Sequence, residues 1–433
     1  MSEQNSSGMS RHEMLQSIIW PHRKRNMVTS TTEGILDAIA MGMIPMSTVI
    51  TYFISDYVKN AFLIGLLPTL QAICSILIQL MVGDRLRGKE RFKPLMSVCV
   101  FAYRCAWLLL SLLIFFNNRV SPILFVCIFY GVFCFNGMWS GIMMLNYTQL
   151  INKIIPETSK GRFFGIRGAF TSAGSIIGAQ LGGAILAAGG DAKRFALLFG
   201  IAFVIDIVSA AIQATLWEPK FRLDDPVPKD SGKHENFFSI FWKVMSHDRN
   251  MAAYIVGVFL LTIGLSFFTF QTSHAKAVLA MNESQLAIVT TILYITEMGG
   301  MLFFGWLCDK TGYKKTFIIG TAFYIVYLML AVKVSSARMT FAMTGFYGIT
   351  QAANGLCVRN MVFRMCSYEQ RVNYYAVLSM TLSLASAFAS SLTGALIDWI
   401  GYSLTAVICL CITIPGLVLL IGVKEKSADQ LST

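Results

Sequence analysis

Gly305-Trp306-Leu307-Cys308-Asp309-Lys310-Thr311-Gly312-Tyr313-Lys314-Lys315 is a short cationic turn set between two long apolar runs, and its reading decides the fold. An earlier stretch, Gly83-Asp84-Arg85-Leu86-Arg87-Gly88-Lys89-Glu90-Arg91, repeats its order of aspartate, cation, glycine and further cations, and Asp84 and Asp309 stand close to half the chain apart. A second echo, Gly183-Ala184-Ile185-Leu186 against Gly394-Ala395-Leu396-Ile397, recurs at a similar offset. Two echoes at similar spacing mark the duplication of one structural unit.

The runs flanking these turns are membrane spans. Of 433 residues 55% are hydrophobic and only 13% charged, with mean hydropathy +0.62, whereas a soluble domain carries about 25% charged residues. A bilayer core of about 30 Å needs about 20 apolar residues as helix. Twelve such runs emerge, over residues 31–54, 61–83, 94–116, 120–152, 168–190, 195–217, 251–271, 285–307, 316–332, 340–363, 372–397 and 403–423. The chain then divides into an N-terminal tail (1–28), six spans (29–217), a linker (218–250), six spans (251–423) and a C-terminal tail (424–433). The linker holds Asp224-Asp225-Pro226-Val227-Pro228, followed by Phe237, Phe238, Ile240, Phe241 and Trp242, which suit an amphipathic helix on the membrane surface.

Lys and Arg exceed Asp and Glu by 35 to 23, a net charge of +12. The cations crowd the tails, the linker and the turns on one side of the spans. On the other side stand only Lys59, Arg119, Lys193, Arg194, Lys276, Lys333 and Arg338. That asymmetry predicts both termini in the cytoplasm and contact with anionic lipid. With no basic stripe, a nucleic-acid partner is excluded. The ten cysteines lie in or beside apolar runs and read as small core hydrophobes. No nucleotide-binding loop and no HExxH occurs, so the sequence points to no catalytic residue, metal or cofactor and to a protein that is not an enzyme. Short loops and no targeting signal suit a plasma-membrane protein, of the bacterial inner-membrane kind.

The paired turns resemble the signature loop of the major facilitator superfamily, G-x-x-x-D-R/K-x-G-R/K-R/K. The later copy matches through Gly305, Asp309, Lys310, Gly312, Lys314 and Lys315. The earlier keeps Asp84, Arg85, Gly88, Lys89 and Arg91, but has Leu80 in place of the leading glycine and one extra residue. The resemblance covers nearly the whole chain and implies an all-α membrane protein with twelve transmembrane helices in two pseudo-symmetric six-helix bundles. It also implies transport by alternating access, with these turns as gating latches. In the fifth span Gly165, Gly174, Gly178, Ala179, Gly182 and Gly183 resemble the family's antiporter motif, with Ala179 where proline is usual. Gly174, Gly178 and Gly182 share one helix face, so close packing and gating are both open. The family's proton-coupling arginine of helix four is missing, since 120–152 holds none.

Charges inside spans are costly and mark candidates. Arg104 and Asp206 both lie about 15 Å deep at 1.5 Å per residue, and because the resemblance implies that helices three and six are neighbours, they are expected to pair as a structural staple. Glu297 and Arg359 sit at comparable depth in the second half, where a pairing between them is expected, and because the resemblance implies that helices eight and ten border the interdomain cleft, gating and structural roles are both open. Ser30-Thr31-Thr32-Glu33 reads as a capping box opening span one. Asp37, one turn deeper, is either a solvated carboxylate or a buried one that exchanges a proton with substrate.

The resemblance makes helices one, four, seven and ten the cavity walls. Helical spacing then selects Asp37, Met41, Thr48 and Tyr52; Asn136, Trp139, Met143 and Asn146; Ser266, Phe270 and Gln271; and Tyr347, Gln351 and Asn354. Aromatics and amides with one carboxylate suit a neutral or cationic amphipath, or a polyol. The expectation is a secondary transporter acting as a monomer on a small organic solute, coupled to protons or another ion. Efflux of an amphipath and uptake of a sugar or polyol both remain open, as does lipid handling or solute sensing on the same fold. If the later turn is a latch, Asp309→Asn slows transport while the thermal midpoint in detergent stays unchanged; full turnover in that variant would exclude it.

Overall fold

The computed structural model describes residues 17–86, 90–189, 191–220, 237–365 and 371–425. Among them the chain is helical, with no strand. Six helices build the first bundle: α1 (Arg23–Met43), α2 (Ala61–Leu86), α3 (Lys93–Phe115), α4 (Pro122–Ile154), α5 (Glu157–Ala187) and α6 (Ala192–Gln213). A short helix, Phe237–His247, precedes the second bundle of α7 (Arg249–Leu265), α8 (Glu283–Thr311), α9 (Tyr313–Val332), α10 (Ala337–Met365), α11 (Arg371–Ile400) and α12 (Tyr402–Gly422). Both α1 and α7 resume after a break. α1 stops before Pro45, which offers no N–H to continue the ladder, and restarts through a π-helical turn, Met46–Ile50, into Thr51–Ile54. α7 passes through a 3₁₀ turn, Ser266–Phe270, into Gln271–Leu279.

Among the described residues eleven helices are long and apolar enough to cross a membrane. α10 has the length but falls short in hydropathy, since it carries Arg338, Gln351, Asn354, Arg359 and Arg364. The packing pattern repeats between halves. α1 packs on α5 and α6, α2 on α4, and α3 on α4 and α6; α7 likewise packs on α11 and α12, α8 on α10, and α9 on α10 and α12. Across the halves the two main seams are α2 with α11 and α5 with α8, which are equivalent under the duplication.

The face where α1 begins and α6 and α12 end is here the terminal face; the opposite one is the loop face. At the terminal face α1 starts several residues before the 31–54 run. Asn26 is buried there: its Nδ2 donates to Trp217 O at 3.1 Å, and its Oδ1 accepts Trp217 N–H at 3.0 Å, tying the start of α1 to the chain beyond α6. The capping-box expectation for Glu33 therefore fails, because Glu33 lies in mid-helix, buried. Tertiary contacts with residues beyond α6 support the extra turns, and a local motif carries no trace of them.

The glycine face of α5 lies directly on the backbone of α1. A Cβ at Gly174 would stand 2.8 Å from Ile35 O, one at Gly182 would stand 2.9 Å from Met43 O, and one at Gly178 would run into Ile39 O. Neither backbone can yield without separating the helices. Gly178→Leu is expected to cost at least the 1–3 kcal/mol typical of overpacking, read as a lowered thermal midpoint in detergent, whereas Gly168→Leu, which meets nothing within 4 Å, leaves it unchanged.

Candidate functional site

A charge knot sits inside the first bundle. Arg104 of α3 is 2% exposed and its Nε lies 2.6 Å from Asp206 Oδ1 of α6, which is fully buried. The same guanidinium reaches Asp37 Oδ1 at 3.3 Å and Glu33 Oε1 at 3.4 Å on α1, and donates to Ser209 Oγ at 3.1 Å. Arg167 of α5 enters from the other side: its Nη2 meets Glu33 Oε2 at 3.2 Å and its Nε donates to Ser30 O at 3.2 Å. Gly34 makes room for it, since a Cβ there would stand 2.7 Å from Arg167 Nη2. Three carboxylates thus face two guanidiniums. Sequence reading places Arg167 among the cations beside the membrane; the small residue at Gly34, three positions before Asp37, was the available signal that something passes close to α1.

A second feature is a cavity of about 740 Å³ between the bundles, lined by Ser75 and Gln79 of α2, Thr262 of α7, Glu297 of α8, Gln351, Asn354 and Arg359 of α10, and Ser379, Ser383 and Ser386 of α11. A smaller one of about 250 Å³, between α5 and α8, shares Glu297 and Met301 with it and adds Thr171, Ser172 and Tyr294. Glu297 and Arg359 therefore share one cavity wall, and no ion pair joins them among the described residues.

The third feature is a seal on the loop face. Among the described residues, every hydrogen bond or ion pair between the bundles lies there. Tyr52 Oη lies 3.1 Å from Met281 O and 3.2 Å from Glu283 Oε1, two acceptors for its single proton, beneath Lys276 Nζ at 3.8 Å from its ring. Lys276 Nζ also meets Asp56 Oδ2 at 2.7 Å. Thr51 Oγ1 and Thr272 Oγ1 are 3.1 Å apart, Thr290 Oγ1 donates to Thr48 Oγ1 at 3.3 Å, Ser391 Oγ to Thr69 Oγ1 at 2.8 Å, and Gln180 Nε2 to Thr291 Oγ1 at 2.8 Å.

The residues selected as cavity walls are thus divided. Gln351 and Asn354 line the cavity. Thr48 and Tyr52 belong to the seal, and Phe270 is buried beside it, its ring against Gly65. Gln271 is buried and donates to Thr344 Oγ1 at 2.6 Å, while Tyr347 stacks on Phe268 with centroids 3.6 Å apart. Asn136 is a strut: it accepts from Gln71 at 2.7 Å and donates to Tyr103 O at 3.2 Å. Asn146 donates to Ile142 O of its own helix, Trp139 meets Phe135 edge-on, and Met41 Sδ accepts from Tyr103 Oη at 3.6 Å. The helical spacing picks the faces that turn inward, but at the loop-face end inward means into the other bundle.

Of the gating residues, Gly88 and the side chains of Asp84, Arg85 and Asp309 lie outside the described residues. Gly305 has open space around it, and Gly312 joins α8 to α9 at φ +86, a conformation that favours glycine. Lys310 Nζ sits 4.2 Å from the Trp306 ring centroid. Past α12, Glu425 Oε1 accepts Lys314 N–H at 2.8 Å; past α6, Glu218 accepts Phe92 and Lys93 N–H at 2.9 and 3.0 Å. The two halves thus end on the same clasp at the start of their third helix.

Two six-helix bundles around a polar cavity, closed at one end and with buried charge beside it, define a membrane transporter. The sequence matches the description "Major Facilitator Superfamily" over residues 34–279 and 255–432, and the chain belongs to that family. Among solved structures it resembles a mutant of the nucleoside transporter NupG, at 14% identity and TM-score 0.65 over 92% of this chain and 98% of that one. It also resembles a bacterial homologue of the human lysosomal transporter Spinster, in an inward-facing and occupied conformation, at 17% identity and TM-score 0.64 over 93% and 97%. Comparison with curated protein sequences gives no match.

Breaking one side of a buried ion pair costs about 3–5 kcal/mol, while replacing both sides by apolar groups is often neutral. Arg104→Leu is therefore expected to abolish or sharply lower the thermal midpoint, and Arg104→Leu/Asp206→Leu to recover most of the loss.

Proposed function

We propose that the protein is a secondary transporter that carries a small polar organic solute by alternating access, coupled to one proton. The observation that carries this reading is the one-sided seal: among the described residues the bundles bond to each other only at the loop face, above a 740 Å³ polar cavity. The surplus of cations at the terminal face favours a cytoplasmic terminal face, so this arrangement is the inward-open one.

The solute class follows from the lining. Hydroxyls and amides from Ser75, Gln79, Gln351, Asn354, Ser379, Ser383 and Ser386, with one carboxylate and one guanidinium, supply donors and acceptors in fixed directions. With Ile76, Val258, Leu261, Leu265, Met301 and Leu382 forming much of the rest of the wall, they favour a neutral or zwitterionic compound that carries several hydroxyl or amide groups on an apolar frame. The aromatic residues that would favour an amphipath, Tyr52, Phe270 and Tyr347, are buried in or near the seal.

The coupling reading rests on charge balance in the knot. Glu33, Asp37 and Asp206 outnumber Arg104 and Arg167 by one negative charge at a depth where unpaired charge is costly. Asp206 and Asp37 both touch the Arg104 guanidinium, and among the described residues Asp206 Oδ2 has no donor. A single proton taken up by the knot removes the surplus and supplies the missing donor. Asp37, with 35% of its side chain exposed, gives that proton its route to water. Arg104 in α3 then serves where the family's helix-four arginine is absent.

Reconstituted liposomes loaded with buffer at one pH and diluted into another test this, with radiolabelled polyols, nucleosides and amino acids as probes. The wild type is expected to accumulate one of these classes only with the gradient. Asp37→Asn is expected to lose gradient-driven accumulation while keeping exchange of internal for external solute. Accumulation that ignores the gradient in the wild type, or survives in Asp37→Asn, overturns the coupling; no flux of any probe overturns transport of this solute class.

A further inference from the structure

The seal contains one contact unlike the others. Asp398, near the end of α11, points its carboxylate at the start of α2 in the opposite bundle: Oδ1 accepts Ala61 N–H at 2.8 Å and Oδ2 accepts Phe62 N–H at 2.7 Å. The first N–H groups of a helix have no partner within it, and a capping side chain is normally supplied by the residue just before. α2 has such a residue, Asn60, but its Oδ1 takes the next N–H, that of Leu63, at 3.1 Å. Two of the three leading donors of α2 are therefore satisfied only from the other bundle. We propose that Asp398 is a cap in trans, the latch that holds the loop face closed and that is released each time this face opens.

The surrounding packing makes the cap dependent on closure. A Cβ on Gly394, one turn before Asp398, would clash with the backbone of Ala61 and Phe62, and a Cβ on Gly65 would clash with Ser390. The carboxylate reaches the α2 N-terminus only while these two backbones touch. Ordinary surface ion pairs can follow a moving partner; two short bonds to backbone N–H groups cannot.

The duplication provides an internal comparison. Gly183 of α5 echoes Gly394 and also meets the other bundle, with a Cβ there driven into Ala287 of α8. At the position matching Asp398 stands Ala187, which has no acceptor. The start of α8 is instead capped from within its own bundle by Asn282, whose Oδ1 accepts Gln285 N–H at 2.9 Å while Gln285 Oε1 accepts Asn282 N–H at 3.1 Å. Opening leaves the caps from Asn282 and Asn60 intact and frees only the two leading α2 donors, Ala61 and Phe62 N–H, that Asp398 holds. The latch is thus on one of two equivalent seams, and the sequence echo that marks the duplication also marks where it sits.

This inference rests on the alternating-access reading, and a conformational readout tests it without a known substrate. In a cysteine-replaced background, spin labels at Lys59 and Val278 report the opening of the loop face as a long-distance population. A cap is worth about 1 kcal/mol, so Asp398→Ala is expected to raise the ratio of open to closed about five-fold, and Asp398→Asn, which keeps one acceptor, by less. Asn282→Ala is expected to lower the thermal midpoint and leave that ratio unchanged. Gly394→Leu, which wedges the seam, opens the face whatever the role of Asp398. If Gly394→Leu opens it and Asp398→Ala does not, or if Asn282→Ala shifts the ratio equally, the latch is overturned and alternating access stands. If Gly394→Leu yields no open population, alternating access itself is overturned.

Discussion

One guanidinium organises the first bundle. Arg104 is nearly sealed from solvent at a depth where lipid offers no counter-charge, so its partners must come from the helices around it. α6 supplies Asp206, α1 supplies Glu33 and Asp37, and the excess negative charge on α1 draws in Arg167 from α5. Four helices are thereby fixed in rotation about their own axes, since each must turn one polar side chain toward the same point. Apolar packing alone would tolerate several such rotations in a medium where every helix face is equally greasy.

Among the described residues the second bundle has no such knot. Its charged pair, Glu297 and Arg359, faces a cavity instead, and its own stability comes from aromatic packing such as Phe268 on Tyr347 and from the hydroxyl and amide bonds of Gln271 and Ser266. The halves share a helix-pairing scheme and differ in what they hold: buried charge in one, a cavity beside the other. The broken helices α1 and α7 meet at the loop face, where their irregular turns bring Thr48, Thr51 and Thr272 together. Non-helical backbone at that depth is sustained because it is enclosed by protein.

Much of this was legible in the sequence, for reasons that are local. A run of about 20 apolar residues means a span wherever it occurs, and a carboxylate and a guanidinium at equal depth, Asp206 and Arg104, are expected to meet once the family resemblance sets helices three and six side by side, because neither tolerates isolation. Glu33 misled because Ser30-Thr31-Thr32-Glu33 is a valid helix start by itself, while the signal that α1 continues upstream, the bond of Asn26 to Trp217, comes from almost two hundred residues away. Tyr52 and Phe270 misled differently: periodicity finds the inward face of a helix, but which stretch of that face meets solvent and which meets the other bundle depends on the tilt of the bundles.

By itself, then, the sequence determined the number of spans, the duplication, the family and the existence of intramembrane charge, because hydropathy and repeated glycine and charge patterns act over short distances along the chain. Only the tertiary structure decided which end is sealed, that Arg167 joins the knot, and that Asp398 caps a helix in the opposite half. Those depend on side chains more than a hundred residues apart reaching one point, and no local pattern of a chain encodes which of its distant parts will touch.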